Sequence, residues 1–237
     1  MSSLSNLLEP TVPKYTIKLP STNKSLNFRP FLVKEEKVLL TAQETSDDTG
    51  MLTAIKQVIE SCFKDITDAG NLPIFDIEYL FINLRAKSVG EIVSPIIVCP
   101  YTGEEVSLEV NLSSIEVIQD KTHTKKIQIN DDLIINMKYP SINILSGREI
   151  DYDDPLSFYD LIVDCVDTIV TKDETIKANE LPKKEIQSFV DNMTKVQFDK
   201  LLEFFLTSPK LEHIVKYKTS DDVDREVVLS GLSDFFA

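Results

Sequence analysis

The side chains able to do chemistry are few and scattered. The chain has two histidines, His123 and His213, and three cysteines, Cys62, Cys99 and Cys165. A catalytic zinc needs three ligands of the His, Cys or carboxylate type held close together. Neither histidine has such a neighbour at a ligand spacing, and His123, within Lys-Thr-His-Thr-Lys, reads as a surface loop or strand residue. The cysteines are odd in number and far apart, which argues against a disulfide framework and for reduced thiols in apolar surroundings. Six glycines lie scattered, with no Gly-rich phosphate loop and no Gly-x-Ser-x-Gly elbow. The acidic clusters Asp151–Asp154 and Asp221–Glu226 lack the ligand spacing and turn glycine of a calcium loop, so they read as a helix cap and a solvated turn. No catalytic residue and no cofactor are expected.

One stretch comes nearer to a metal site. Cys99-Pro-Tyr-Thr-Gly103 has the outline of a zinc knuckle, with Thr102 where the second cysteine belongs. A hydroxyl is a poor zinc ligand and a structural zinc needs four good ones. Cys99 therefore reads as a lone thiol in a tight turn, a degenerate knuckle without metal.

Charge narrows the class of partner. The formal net charge is −14, and residues 91–237 carry 15 Lys and Arg against 28 Asp and Glu, while residues 1–90 are near balance at 10 against 11. Such a surface repels nucleic acid and anionic membranes. The lysines of Lys121–Lys126 have no aromatic rings among them for bases to stack on. The first dozen residues lack the basic start and apolar run of a signal peptide, and nothing approaches a membrane-spanning length. A soluble intracellular protein is expected.

The elements that would position these residues follow from periodicity. Residues 1–13 read as an arm anchored by Leu4, Leu7 and Leu8. Alternation in Tyr15–Leu19 and Leu26–Phe28 around a polar turn predicts a β-hairpin. A helix follows from near Lys34, with Val38, Leu39 and Ala42 as its apolar face. Leu52–Ile66 and residues 74–88 repeat at helical spacing. From Ile92 to Met137 short β-like runs separated by turns predict one small antiparallel sheet. Asp154-Pro155 opens a helix expected to run from Leu156 to Val170, apolar nearly all round. Shorter helices around Ile186–Met193 and Phe198–Phe205, the latter capped by Thr194, precede a hairpin of His213–Lys218 and Glu226–Leu229. The pattern of Ile97–Leu108, an apolar strand and then a polar turn followed by Glu-Val-x-Leu, recurs in Ile214–Leu229. A repeated hairpin and chance likeness both remain open.

The expected fold is α+β: an N-terminal β-hairpin with helices, a small antiparallel sheet in the middle, and a C-terminal helical group ending in a hairpin. The expected divisions are an arm (1–13), hairpin plus helices (14–90), a β module (91–140) and a helical group with its hairpin (141–237).

Tyr15-Thr-Ile-Lys-Leu-Pro-Ser-Thr-Asn-Lys24 followed by Phe28-Arg-Pro-Phe-Leu-Val-Lys-Glu-Glu-Lys-Val-Leu-Leu40 resembles the baseplate hub subunit family of T-even-type tailed bacteriophages, the family of the product of gene twenty-six. Phe75–Gly90, Lys138-Tyr-Pro140 and the ending Leu229–Phe236 are similar to further stretches of that family. The resemblance spans most of the chain, with its specific motifs in residues 15–90. Family members often carry cysteine pairs in the β-rich segments. This chain keeps only Cys99, which puts any zinc-ribbon role in doubt.

The resemblance implies a non-enzymatic role in the hub or in tail assembly. Other baseplate hub or tail proteins would be the partners, without nucleic acid or membrane, and a homo-oligomer stays open. The infected bacterial cytoplasm would be the site of assembly, with the virion tail baseplate as a further destination. A transient tail-assembly chaperone absent from the virion fits the same residues. An acidic DNA-mimic or inhibitor is the rival from another class, and a hydrolase is remote. The residues expected to meet partners are Leu4, Leu7, Leu8, Arg29, Phe31, Phe235 and Phe236. Residues 28–40 themselves allow two readings. In a packing corner, Phe31 and Val33 fill the core and Glu35 or Glu36 pairs with Arg29. In a docking corner, an exposed Phe31 enters a partner.

Overall fold

The computed structural model describes residues 12–44, 48–146 and 155–236. The expected arm, the acidic cluster at Asp151–Asp154 and most of the polar loop before Gly50 lie outside these residues. Strands β1 (Tyr15–Lys18) and β2 (Ser25–Phe28) lead into helices α1 (Val33–Glu44), α2 (Asp48–Cys62) and α3 (Ile74–Ser88). Short strands follow: β3 (Ile92–Val93), β4 (Ile96–Val98), β5 (Glu105–Ser107), β6 (Val110–Asn111), β7 (Val117–Ile118), β8 (Lys126–Asn130) and β9 (Leu133–Met137). The chain continues through α4 (Ile142–Leu145), α5 (Pro155–Cys165), β10 (Val166–Val170), β11 (Thr175–Lys177), α6 (Lys183–Asp191) and α7 (Lys195–Leu206). It closes with β12 (Lys210–Lys218), β13 (Asp224–Ser230) and α8 (Gly231–Phe236). The class is α+β, as the sequence predicts. Among the described residues no helix is long and apolar enough to cross a membrane.

The chain forms two units. One runs through Ile118 and resumes at Lys210; the other is Gln119–Pro209. Residues 91–140, grouped as one β module on sequence texture, are divided between them.

In the discontinuous unit, β1 and β2 pair antiparallel with Tyr15 opposite Phe28. Their alternation turns Ile17, Leu26 and Phe28 inward. Asn23 takes a left-handed conformation (φ 57°) at the turn. Asparagine is among the few side chains that tolerate this backbone. Phe28 stacks on Phe63, just past α2, with ring centroids 4.9 Å apart. Val58 and Ile59 of α2 and Ile77, Leu80 and Leu84 of α3 are fully buried where these helices pack together. A second cluster joins Ile82 and Ala86 of α3 to Cys99, Leu108, Leu112, Leu211, Tyr217, Leu229 and Phe235. The single middle sheet expected from the sequence is instead distributed. β3 pairs with β6, β4 with β5, and β7 joins the hairpin β12–β13 at its β12 edge. The final hairpin is not the end of the chain, because α8 follows it and packs on α3.

The continuous unit centres on a four-stranded sheet in the order β11-β10-β9-β8. Its core gathers Ile135, Met137, Ile162, Cys165, Val166, Leu201 and Phe204. The long helix expected over Leu156–Val170 stops at Cys165, and Val166–Val170 is a strand against β9. Val166, Thr168, Ile169 and Val170 are all β-branched, which favours a strand over a helix when a sheet neighbour is present. The expected cap at Thr194 is observed: Thr194 and Gln197 form a reciprocal capping box at the start of α7.

Candidate docking surface

The corner between β2 and α1 is braced from inside. The Arg29 guanidinium donates to Glu35 Oε1 at 2.9 Å and to the Ser61 carbonyl at 3.2 Å. Glu35 Oε2 accepts the Leu32 amide at 2.8 Å, and the Phe31 amide donates to Ser88 Oγ at 3.0 Å. Glu35 is only 4% exposed. Burial pushes its carboxyl up, but the Arg29 bond, the Leu32 amide and the charges of Arg29 and Lys34 outweigh this and hold it below the ordinary glutamate value. Beneath them, burial pushes the Cys62 thiol up to about 11, so it stays protonated and inert. Of the two partners the sequence offered for Arg29, Glu35 is the one that pairs, while Glu36 is exposed.

What this brace holds outward is apolar. Val33 is 66% exposed, Leu40 53% and Leu32 40%. Val33 therefore fills no core, against the packing-corner expectation. At about 100° per residue, Val33 and Leu40 lie seven residues apart on one stripe of α1, while Val38, Leu39 and Ala42 lie on the opposite side, toward α2. Those three are half-buried, and Glu35 is the one residue of α1 that is fully buried. A helix that carries apolar residues on both sides has one side left to cover.

The other residues named from sequence fall in several places. Phe31 is half-buried at the same corner. Phe235 is 1% exposed and fills the cluster under β12 and β13, so its ring is not available at the surface. Phe236 is half-buried, edge-on to Phe81 at 6.0 Å and beneath the Arg85 guanidinium at 5.0 Å. Leu4, Leu7 and Leu8 lie outside the described residues. The structure thus places Arg29 and Phe31 at the β2–α1 corner and Phe235 and Phe236 on α8. Sequence reasoning missed Leu40. The signal was the presence of apolar residues at 33 and 40 as well as at 38, 39 and 42, too wide a spread for one helix face.

Cys99 sits in a turn with polar contacts of its own. Its amide donates to the Glu104 carbonyl at 2.8 Å, and Gly103 closes the turn at φ 72° with its amide on the Cys99 carbonyl. The Tyr217 hydroxyl donates to Cys99 Sγ at 3.5 Å, and the Ser220 amide donates to Glu104 Oε2 at 3.0 Å. The two hairpins that echo each other in sequence therefore meet at their turns. Arg225 pairs with Asp221 in the second turn and covers the Tyr101 ring of the first at 5.5 Å. Burial pushes the Cys99 thiol up, but hydrogen bonds from Thr102 and Tyr217 and from the amides of Tyr101 and Thr102 reverse this and place it at about 7. Among the described residues no three His, Cys, Asp or Glu side chains are grouped to hold a metal.

His123 belongs to the continuous unit and is not the free surface residue its sequence context suggests. Its Nδ1 lies 3.0 Å from Thr207 Oγ1 and its Nε2 lies 2.9 Å from the Tyr139 hydroxyl. Thr207 already donates its hydroxyl hydrogen to the Glu203 carbonyl at 2.7 Å. It must therefore accept from Nδ1–H, and in the neutral ring Nε2 is then the atom that accepts from Tyr139. Burial and the neighbouring Lys125 charge both lower its pKa.

Comparison with known proteins points one way. The model of the T4 bacteriophage base plate protein family matches residues 12–237. The baseplate hub assembly protein gp26 of Enterobacteria phage T4 is 26% identical over 226 residues, which cover 94% of this chain and 97% of that protein. No solved structure matches the chain.

Proposed function

We propose, from the premise that this chain belongs to the T4 bacteriophage base plate protein family, that it serves phage baseplate assembly by binding other hub or tail proteins and performs no chemistry of its own. The observation that carries the mechanism is the outward stripe of α1. Leu32, Val33 and Leu40 stand exposed on a corner whose inner side is fixed by Arg29 and Glu35. A preformed apolar surface on a braced helix loses little conformational freedom on docking, which favours association. The acidity of residues 91–237, 15 Lys and Arg against 28 Asp and Glu, disfavours nucleic acid and like-charged proteins and so narrows the choice of partner. Assembly would take place in the infected host, with the tail baseplate as destination.

Co-expression of the full chain with the other hub proteins of its own phage, followed by pull-down, tests this. The wild type is expected to retain at least one hub protein. Val33→Asp with Leu40→Asp is expected to release it while leaving the chain folded by circular dichroism. Failure of the wild type to retain any hub or tail protein would overturn the reading. Mass spectrometry of purified virions then separates a resident component, found in the particle, from a transient assembly factor.

A further inference from the structure

The sheet β7–β12–β13 alternates strictly. Leu211, Tyr217 and Leu229 face the core, while Ile214 and Val228 are 56% and 51% exposed. These two residues are directly opposite each other in the β12–β13 register. Lys210 pairs with Ile118, which is 52% exposed, so Ile118 joins them on the outward face. An antiparallel sheet with one face on its core ordinarily turns polar residues to water on the other. This sheet instead carries the β-branched pair Ile214 and Val228 at its outward centre, with Ile118 at one end opposite Lys210.

The charges on the same face are nearly balanced. Lys210, Lys216 and Lys218 stand among Glu212, Asp224 and Glu226, with Asp222 at the turn, and they pair as Lys210–Glu212 at 4.0 Å, Lys216–Glu226 at 3.5 Å, and Lys218 with Asp222 at 3.0 Å and Asp224 at 3.6 Å. Residues 91–237, to which this sheet belongs, are strongly acidic, with 15 Lys and Arg against 28 Asp and Glu. Two copies that meet through the rest of that part of the chain bring like charges together. Two copies that meet here bring an apolar centre and a rim of three lysines against four carboxylates, in which a lysine of one copy can face a carboxylate of the other. A two-fold contact needs that kind of self-complementary patch.

We propose that the outward face of β7–β12–β13 is a self-association surface whose occupant is the same face of a second copy of this chain. Nine residues of β12 at about 3.3 Å each, with three strands about 4.8 Å apart, make a small patch, below the size of a standard stable interface. The dimer is accordingly weak, with a dissociation constant on the order of 10–100 μM. It forms through a different surface from the α1 stripe and needs no hub protein.

Sedimentation equilibrium of the full chain from about 5 to about 500 μM tests this, a range that brackets the expected constant. The weight-average mass is expected to climb from one chain toward two. Raising the salt should increase the dimer fraction, because screening removes the repulsion between two acidic bodies. A basic protein partner would instead be bound less tightly as salt rises. Ile214→Thr with Val228→Thr keeps the β propensity, removes the apolar centre and should leave a monomer at every concentration. If that double variant fails to fold by circular dichroism, Lys216→Glu decides: it makes the face strongly negative and should weaken the dimer severalfold. A wild type that stays monomeric throughout, or folded variants that dimerise as the wild type does, would overturn the proposal without touching the hub-binding reading.

Discussion

Asp76, with none of its surface exposed, accepts the amide of Ser21 at 3.0 Å and the hydroxyl of the same residue, across 55 positions of sequence. One carboxylate in the first turn of α3 thereby fixes the turn of the β1–β2 hairpin. Its placement also suits the positive end of the α3 dipole. Asp76→Ala removes the acceptor and strands two donors, which should lower stability by about 3 kcal/mol. Ser21→Ala leaves the amide bond in place and should lower it by only about 1 kcal/mol. Denaturant unfolding followed in the discontinuous unit measures both. Equal losses for the two variants would refute the assignment of the larger share to Asp76.

Glu78 presents a pH-dependent case of opposite sign to an ordinary salt-bridged carboxylate. A Cβ placed on Gly231, at the start of α8, would come within 3.2 Å of its carboxylate oxygen, and burial pushes its pKa up to about 7. Below about pH 4.5 both folded and unfolded chains hold the proton and the group makes no difference. Between about 4.5 and 7 the unfolded chain gives up its proton first, so stability falls as pH rises, and it levels off above about 7. Glu78→Gln should therefore gain about 2 kcal/mol over the wild type near pH 8 and nothing near pH 4. Thermal melts of both proteins at the two pH values give the comparison, and a constant difference between them would contradict the burial argument.

In the continuous unit His123 predicts the reverse slope. Its folded-state pKa is lowered by burial and by Lys125, so the unfolded chain takes up the proton more readily. Stability contributed by the neutral ring is present above the ordinary histidine value and is lost as pH falls through it. Protonation also gives Nε2 a hydrogen, and the Tyr139 hydroxyl can then no longer donate to it. His123→Gln should lower stability at neutral pH, because a shorter amide cannot reach both Thr207 and Tyr139, and should flatten the dependence between about pH 7.5 and 5.5. Titration of the ring by nuclear magnetic resonance offers a direct check: a pKa at or above that of free histidine would be incompatible with the bonding described.

Much of the helical framework was legible because it rests on local signals. The apolar repeats at Leu52–Ile66 and Ile77–Leu84 and the Thr194 cap each sit within one or two turns of the residues they govern. Sheet membership was not legible, because it depends on distant partners. Val117 pairs with Leu211, and nothing near either residue announces the other. The Leu156–Val170 run misled for a related reason: a uniformly apolar stretch has no period, so only its sheet neighbour Ile135, opposite Ile169, reveals that its second half is a strand. The β2–α1 corner was half legible. Charge and spacing offered Arg29 either Glu35 or Glu36, but the choice of Glu35 and the outward turn of Val33 depend on which side of α1 is buried.

The discontinuous unit has a consequence for the order of events during synthesis. Cys99, Leu108 and Leu112 find their core partners Leu211, Tyr217, Leu229 and Phe235 only after the whole of Gln119–Pro209 has been made. The inserted unit can fold while the first lies open, waiting on the last segment to leave the ribosome. A message broken anywhere before Lys210 yields a chain whose first unit lacks four of the side chains that close its interior. Such a product exposes the apolar surface that chaperones and proteases act on.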